Sequence, residues 1–122
     1  MKARLRIRID FEEGTVLGPG KVRLFELVDE CGSLENAAAT IQMDYGLARH
    51  VVERLEQLFG GALIVSETSG TDVGRCRLTK LGREVVGRYY AAERVSADAA
   101  ERALNDLVAL APGRKPADAR SA

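Results

Sequence analysis

Hydrophobic positions change period several times along this chain, and each change marks an element. Over residues 3–11, Leu5, Ile7, Ile9 and Phe11 alternate with Arg4, Arg6, Arg8 and Asp10, the period of a strand with one buried face. Glu12-Glu13-Gly14 turns the chain, and Leu17-Gly18-Pro19-Gly20 marks a second turn ahead of a helix. Val22, Leu24, Phe25, Leu27 and Val28 form the stripe of that helix, which ends near Cys31-Gly32. Ser33 is an N-cap for the next, where Leu34, Ala37, Ala38 and Ile41 recur at helical spacing. The consecutive alanines make this helix narrow, so a neighbour can approach closely. Gln42 and Met43 break the pattern, and Asp44 caps a third helix that runs to about Phe59. Ala48, Val51, Val52, Leu55, Leu58 and Phe59 are its inward stripe.

Two short amphipathic helices separated by a polar break predict a helix-turn-helix, with the second helix, residues 44–59, as the reading head. Its outward face carries Tyr45, Gly46, Arg49, His50, Glu53 and Arg54. After Gly60-Gly61, the run Ala62 to Val65 is rich in strand formers, and Arg75 to Thr79 alternates again. The glycine-punctuated stretch between them makes the pair a wing, with its loop over residues 66–75. Thr79 caps a further helix, in which Leu81, Val85, Val86, Tyr89 and Tyr90 are spaced for burial. Helical character resumes through Ala99, Ala103, Leu104, Leu107 and Leu110, and Ser96 either lies within one long helix or caps a separate one. From Pro112 on, apolar periodicity stops. The predicted fold class is mainly α with a small β hairpin, a winged helix-turn-helix with an N-terminal strand and a long C-terminal helical segment. Residues 1–90 form the DNA-binding domain, 91–111 a dimerisation helix and 112–122 a disordered tail.

With 122 residues, 46% of them hydrophobic, the chain suits one domain that buries a core without metals or crosslinks. Eighteen basic and eighteen acidic residues give a formal net charge of zero. That balance argues mildly against a polyanion-binding protein, yet it permits a groove reader whose positive charge is local. Cys31 and Cys76 lie far apart without CxxC spacing, so reduced thiols are expected rather than a disulfide framework or a zinc site. No apolar run approaches the length of a membrane span, and the charged, alternating N-terminus is unlike a signal peptide. A cytoplasmic protein without membrane contact is expected.

Several phrases carry a family likeness. LGPGKVRLFELVDECGSLENAAATIQMDY, LEQLFGGALIV and LTKLGREVV resemble the N-terminal DNA-binding domain of ModE-type, molybdate-responsive transcriptional regulators, and more distantly LysR-type DNA-binding domains. The resemblance extends from about Arg4 to Tyr89. It implies transcription regulation through double-stranded DNA. The departures are specific. Family reading helices typically start Met-Ser-Tyr followed by two basic residues, whereas Asp44, Gly46 and Leu47 stand at those positions here. The family's wing commonly holds a basic residue among glycines; here it is Ser69 to Gly74 with Asp72, and Arg75 and Arg77 restore positive charge at the hairpin base. Family members also carry C-terminal molybdate-binding domains, so this chain, resembling the DNA-binding half alone, is expected to bind no molybdate.

The expected DNA-binding residues are Tyr45, Gly46, Arg49, His50 and Arg54 on the helix, with Thr71 and Arg75 on the wing. Arg49 sits where a recognition helix meets base edges, and a guanidinium can donate two bonds to guanine. The plainer alternative is a solvated arginine paired with Glu53 four residues on. Tyr45 reaches a phosphate or packs its ring on the preceding helix. Gly46, costly early in a helix, allows a close backbone approach or is simply tolerated. The three strand arginines face phosphate or, as is favoured, form a wet face that discourages edge pairing. A lone histidine has no metal-ligand spacing, the wing glycines form no phosphate loop, and no nucleophile motif or paired carboxylates exist, so neither cofactor nor enzyme is expected. Two functions remain: a homodimeric DNA-binding regulator paired through its C-terminal helix, or a winged-helix protein-interaction module without DNA binding, which Asp44, Asp72 and the zero net charge permit.

Overall fold

The computed structural model describes residues 1–112. Its elements run β1 (Ile9–Asp10), β2 (Val16–Leu17), α1 (Pro19–Cys31), α2 (Leu34–Thr40), α3 (Tyr45–Phe59), β3 (Ile64–Ser66), β4 (Cys76–Leu78) and α4 (Lys80–Val108). β1 pairs antiparallel with β2, and β3 with β4, as two separate two-stranded sheets. This is a mainly helical winged helix-turn-helix with a strand at its N-terminal end and a long C-terminal helix. Ile7–Tyr90 form one compact unit; Met1–Arg6 and residues 91–112 belong to another.

Within Ile7–Tyr90 the helix boundaries follow local chemistry. Pro19, which has no amide to leave unpaired, opens α1, and Gly32 closes it in the left-handed conformation (φ 79°) with its N–H on Val28 O. The Ser33 hydroxyl accepts from Asn36 N at 2.9 Å to start α2. The chain then reverses at Gln42, which has a positive φ of 57°, and Met43 N reaches back to Ala38 O at 2.8 Å. The Asp44 carboxylate accepts from Leu47 N at 3.1 Å and so caps α3. Ala37, Ala38 and Ala48 are fully buried where α2 and α3 meet, so any larger side chain there would force the two helices apart. Phe25, Leu24, Leu55, Leu63, Val22 and Val28 fill the centre of the core. The inward stripes expected for α1, α2 and α3 face the core, with Ile41, Leu58 and Phe59 partly buried at its edge.

The wing is stitched to the helices at its base. Asp29 Oδ1 accepts from Leu78 N at 2.8 Å, and Cys76 N donates to Gly32 O at 2.8 Å. Thr79 caps α4 by accepting from Gly82 N at 3.0 Å, while its hydroxyl donates to Ala62 O at 2.7 Å. Gly82 is required by a close approach, since a Cβ there would lie 2.2 Å from Leu63 O.

One expectation changes. The alternation over residues 3–11 predicts a longer strand than forms: only Ile9 and Asp10 pair, with Leu17 and Val16. Phe11 N donates to Thr15 O to close the turn, and Pro19 begins a helix two residues after β2, so the partner strand is too short to extend the ladder. The alternation survives in the packing, because Ile7, Ile9 and Phe11 rest on the core while Arg8 and Asp10 are exposed. At Ser96, where the sequence allows either one long helix or a new cap, α4 continues without a break.

In the other unit, α4 continues to Val108 and ends in a turn in which Ala111 N donates to Val108 O. No residue from Ala91 to Pro112 is buried; Val95 and Leu107 are 65% and 62% exposed. Apart from Pro112, the predicted tail lies outside the described residues.

Candidate nucleic-acid interface

Helix α3 turns its stripe of Ala48, Val51, Val52 and Leu55 into the core, which leaves Tyr45, Gly46, Arg49, His50 and Glu53 exposed on the other side. Gly46 has a local reason: a Cβ there would stand 3.0 Å from the capping oxygen of Asp44, so glycine gives the cap room. Arg49 Nη2 lies 3.6 Å from Glu53 Oε2, with both side chains 59% exposed. An exposed pair of this kind contributes about 0.3–0.5 kcal/mol and is readily exchanged for another anion. Tyr45 is exposed as well, at 45%.

Arg54 lies on the flank of the same helix. Its Nη2 donates to Thr15 Oγ1 at 3.1 Å and stands 3.8 Å from Glu13 Oε2. Thr15, 4% exposed, is a buried polar residue in the turn between β1 and β2, and its amide donates to the Glu13 carboxylate. Bonds from the Thr15 hydroxyl and amide, with the nearby Arg54 guanidinium, hold the Glu13 carboxyl below its ordinary pKa. Lys21, in the first turn of α1, donates to Val16 O at 2.7 Å. Burial depresses its pKa, and Arg54 and Arg8 push in the same direction. Together Thr15, Lys21, Leu47, His50 and Arg54 line a cavity of about 200 Å³.

The wing residues are placed differently. Thr71 sits exposed in the loop beside Asp72 and Val73. Arg75 is turned back onto the end of α1, donating through Nη2 to Asp29 O at 2.9 Å and Glu30 O at 3.5 Å. A cation there is favourable, since the last turn of a helix carries unpaired carbonyls and partial negative charge. The guanidinium fits because residue 32 is glycine; a Cβ would lie 2.5 Å from Arg75 Nη1. Arg77 pairs with Glu67 across the hairpin. Of the seven expected residues, Tyr45, Gly46, Arg49 and His50 share an exposed helix face, Arg54 joins His50 in the flanking cavity, and Thr71 and Arg75 belong to the wing.

Sequence reasoning missed Lys21 and Thr15. A cation in the first turn of a helix opposes the helix dipole, and that mismatch was the available signal for Lys21. Nothing in the local sequence marks Thr15 as buried. Among the described residues, no group of three His, Cys, Asp or Glu residues is placed to hold a metal, and no helix is long and apolar enough to cross a membrane. Cys31 and Cys76 are both unbridged.

No family model matches the chain. It is similar to the molybdenum transport protein ModE of Azotobacter vinelandii, with 31% identity over 88 residues. The likeness is to a ModE protein. The match takes in 72% of this chain and 33% of that protein, so the chain spans about a third of the length of the relative.

Proposed function

We propose that the chain is a sequence-specific DNA-binding transcriptional regulator that acts as a homodimer, with α3 in the major groove and the wing, residues 66–75, at the flanking backbone. The observation that carries this is the exposed face of α3: a capped helix held by its core stripe and presenting Tyr45, Arg49 and His50 outward. A helix is about 10–12 Å across with its side chains and enters a major groove of about 12 Å. The likeness to ModE supports a regulator rather than an enzyme. Arg49→Ala tests the docking. It is expected to weaken binding to the preferred site by about 1–3 kcal/mol while leaving the fold intact. Equal affinity of parent and variant would remove α3 from the groove.

Dimerisation is proposed through α4 beyond Ala91, where Val95 and Leu107 are exposed. Each leucine buried in a pair contributes about 1.5–3 kcal/mol. A two-fold pair would hold the two reading helices near 34 Å apart, one turn of the duplex. Sedimentation should give a dimer for the full chain and a monomer for a version ending at Tyr90; a full-length monomer at tens of micromolar would end the two-fold arrangement.

A second function, a winged-helix protein-interaction module, is favoured by one observation. Arg54 and Arg75 are both engaged by other groups of the molecule, and Arg49 has an acidic neighbour, so uncompensated positive charge on α3 and at the wing is modest. Absence of any salt-dependent binding to duplex DNA would select it.

A further inference from the structure

The cavity beside α3 has a composition that the helix-turn-helix alone does not explain. It lies between the β1–β2 turn, the first turn of α1 and the flank of α3. Its polar groups are the Thr15 hydroxyl, the Lys21 ammonium, the His50 imidazole and the Arg54 guanidinium, with apolar walls from Val51 and Leu47. Glu13 is the acidic group nearby, and it faces Arg54 and the Thr15 amide. Among the described residues no carboxylate pairs with Lys21, whose charged neighbours are Arg54 and Arg8. Lys21 also stands in the first turn of a thirteen-residue helix whose N-cap, Gly18, offers no side-chain cap. Glu13 offsets Arg54, whereas Lys21 and the positive end of α1 face like charge, which favours an anion in the cavity. One N–H of Lys21 is taken by Val16 O, which fixes the ammonium and leaves two donors for a ligand.

We infer that the cavity formed by Thr15, Lys21, His50 and Arg54 seats one phosphodiester group of the DNA backbone. The inference rests on the proposed docking of α3. Leu47 and His50, exposed on α3, form the rim, so the cavity opens on the same helix that would enter the groove. Phosphates line both walls of a major groove, and a helix that fills it brings its flanks against them. Held between two elements besides α3, the phosphate would fix how deeply and at what angle the helix sits. Such a contact is sequence-independent. Lys21 and Thr15 would then set position and affinity, and the outer face of α3 would set specificity.

The test is the salt dependence of binding by the full chain to mixed-sequence duplex DNA, comparing the parent with Lys21→Gln and Lys21→Arg. Neutralising one phosphate-bound cation lowers the slope of log K against log salt by about one. The advantage of the parent over Lys21→Gln should therefore shrink by about three- to fourfold between about 50 and 200 mM salt. Lys21→Arg should retain the parental slope, and both variants should keep the parental circular dichroism. A parental slope in Lys21→Gln overturns the phosphate seat while leaving DNA binding by α3 standing. Absence of duplex binding by the parent overturns the seat together with the proposed function. Amide shifts at residues 14–21 and 47–54 on titration with inorganic phosphate, without duplex binding, would likewise overturn the phosphodiester and assign the cavity to a free anion.

Discussion

The two hairpins are held in opposite ways. β1–β2 is fixed at its tip: Glu13 receives the Thr15 amide, and the Thr15 hydroxyl receives Arg54 from α3. β3–β4 is fixed at its base, by Asp29, Gly32 and Thr79, while Thr68 to Arg75 are all exposed. A hairpin pinned at its tip presents one fixed cavity wall, and its polar groups are organised before any ligand arrives. A hairpin pinned only at its base leaves a tip whose ordering must come from whatever it touches, at a cost in conformational entropy. Preorganised chemistry is therefore found at the first hairpin and adaptable contact at the wing.

The largest expected effect comes from loosening the wing's base. Gly82→Ala puts a Cβ 2.2 Å from Leu63 O and 3.2 Å from Leu78 Cδ2, where α4 crosses the base of the hairpin. Alanine gains about 1 kcal/mol in helix propensity. A backbone oxygen cannot rotate away, so overpacking should win, with a net loss of about 2 kcal/mol or more in urea denaturation. A neutral or stabilising substitution would mean that the base of the wing slides freely on α4. Asp29→Ala acts on the same junction and strands the Leu78 amide, at about 1–2 kcal/mol. If unfolding of that variant matched the parent, the base would not be pinned where the comparison requires.

The tip of the first hairpin should respond more weakly. Thr15→Val keeps the shape of a buried side chain and removes the acceptor of Arg54, a loss of about 1 kcal/mol. It should also move the Glu13 carboxyl back up towards its ordinary range, since Thr15 is the chief cause of its depression. A carboxyl with a depressed pKa in the fold adds stability above its unfolded pKa and loses it as pH falls through the folded value. The parent should thus lose more stability on acidification than Thr15→Val. Identical acid limbs in the two proteins would detach Glu13 from the tip.

What was legible in the sequence follows the same division. Caps and stripes are local, so Ser33, Asp44, Thr79 and the core faces of α1 to α3 could be read from spacing alone. The bonds that shape the candidate site join residues far apart. Arg54 meets Thr15 from 39 residues away and Arg75 meets Asp29 from 46, distances at which spacing carries no signal. Arginine on a helix face and arginine at a hairpin base both look like ligands for a polyanion; only the fold shows that their guanidinium groups are already engaged by backbone or hydroxyl oxygens. The strand over residues 3–11 is shorter than its alternation suggests for a related reason. Alternation reports which side of a segment is buried, and ladder length is set by a partner strand that a proline-started helix cuts short.

The smallest expected effect on stability, and the most direct probe of the wing, is Asp72→Lys. Among the described residues no hydrogen bond or ion pair engages the Asp72 carboxylate, and only its backbone carbonyl is used, by Arg75 N. Unfolding should shift by no more than about 0.5 kcal/mol, as for other exposed positions away from caps and ion pairs. DNA affinity should respond differently. If the wing lies at the backbone, the change removes a repelled charge and offers one new phosphate contact, so the salt slope should steepen by about one on any duplex sequence. Sequence preference should stay the same, because a backbone contact adds affinity without reading bases. A variant that folds like the parent and binds DNA with an unchanged slope would mean that the wing stands clear of the duplex, leaving α3 and its flanking cavity to hold the complex alone.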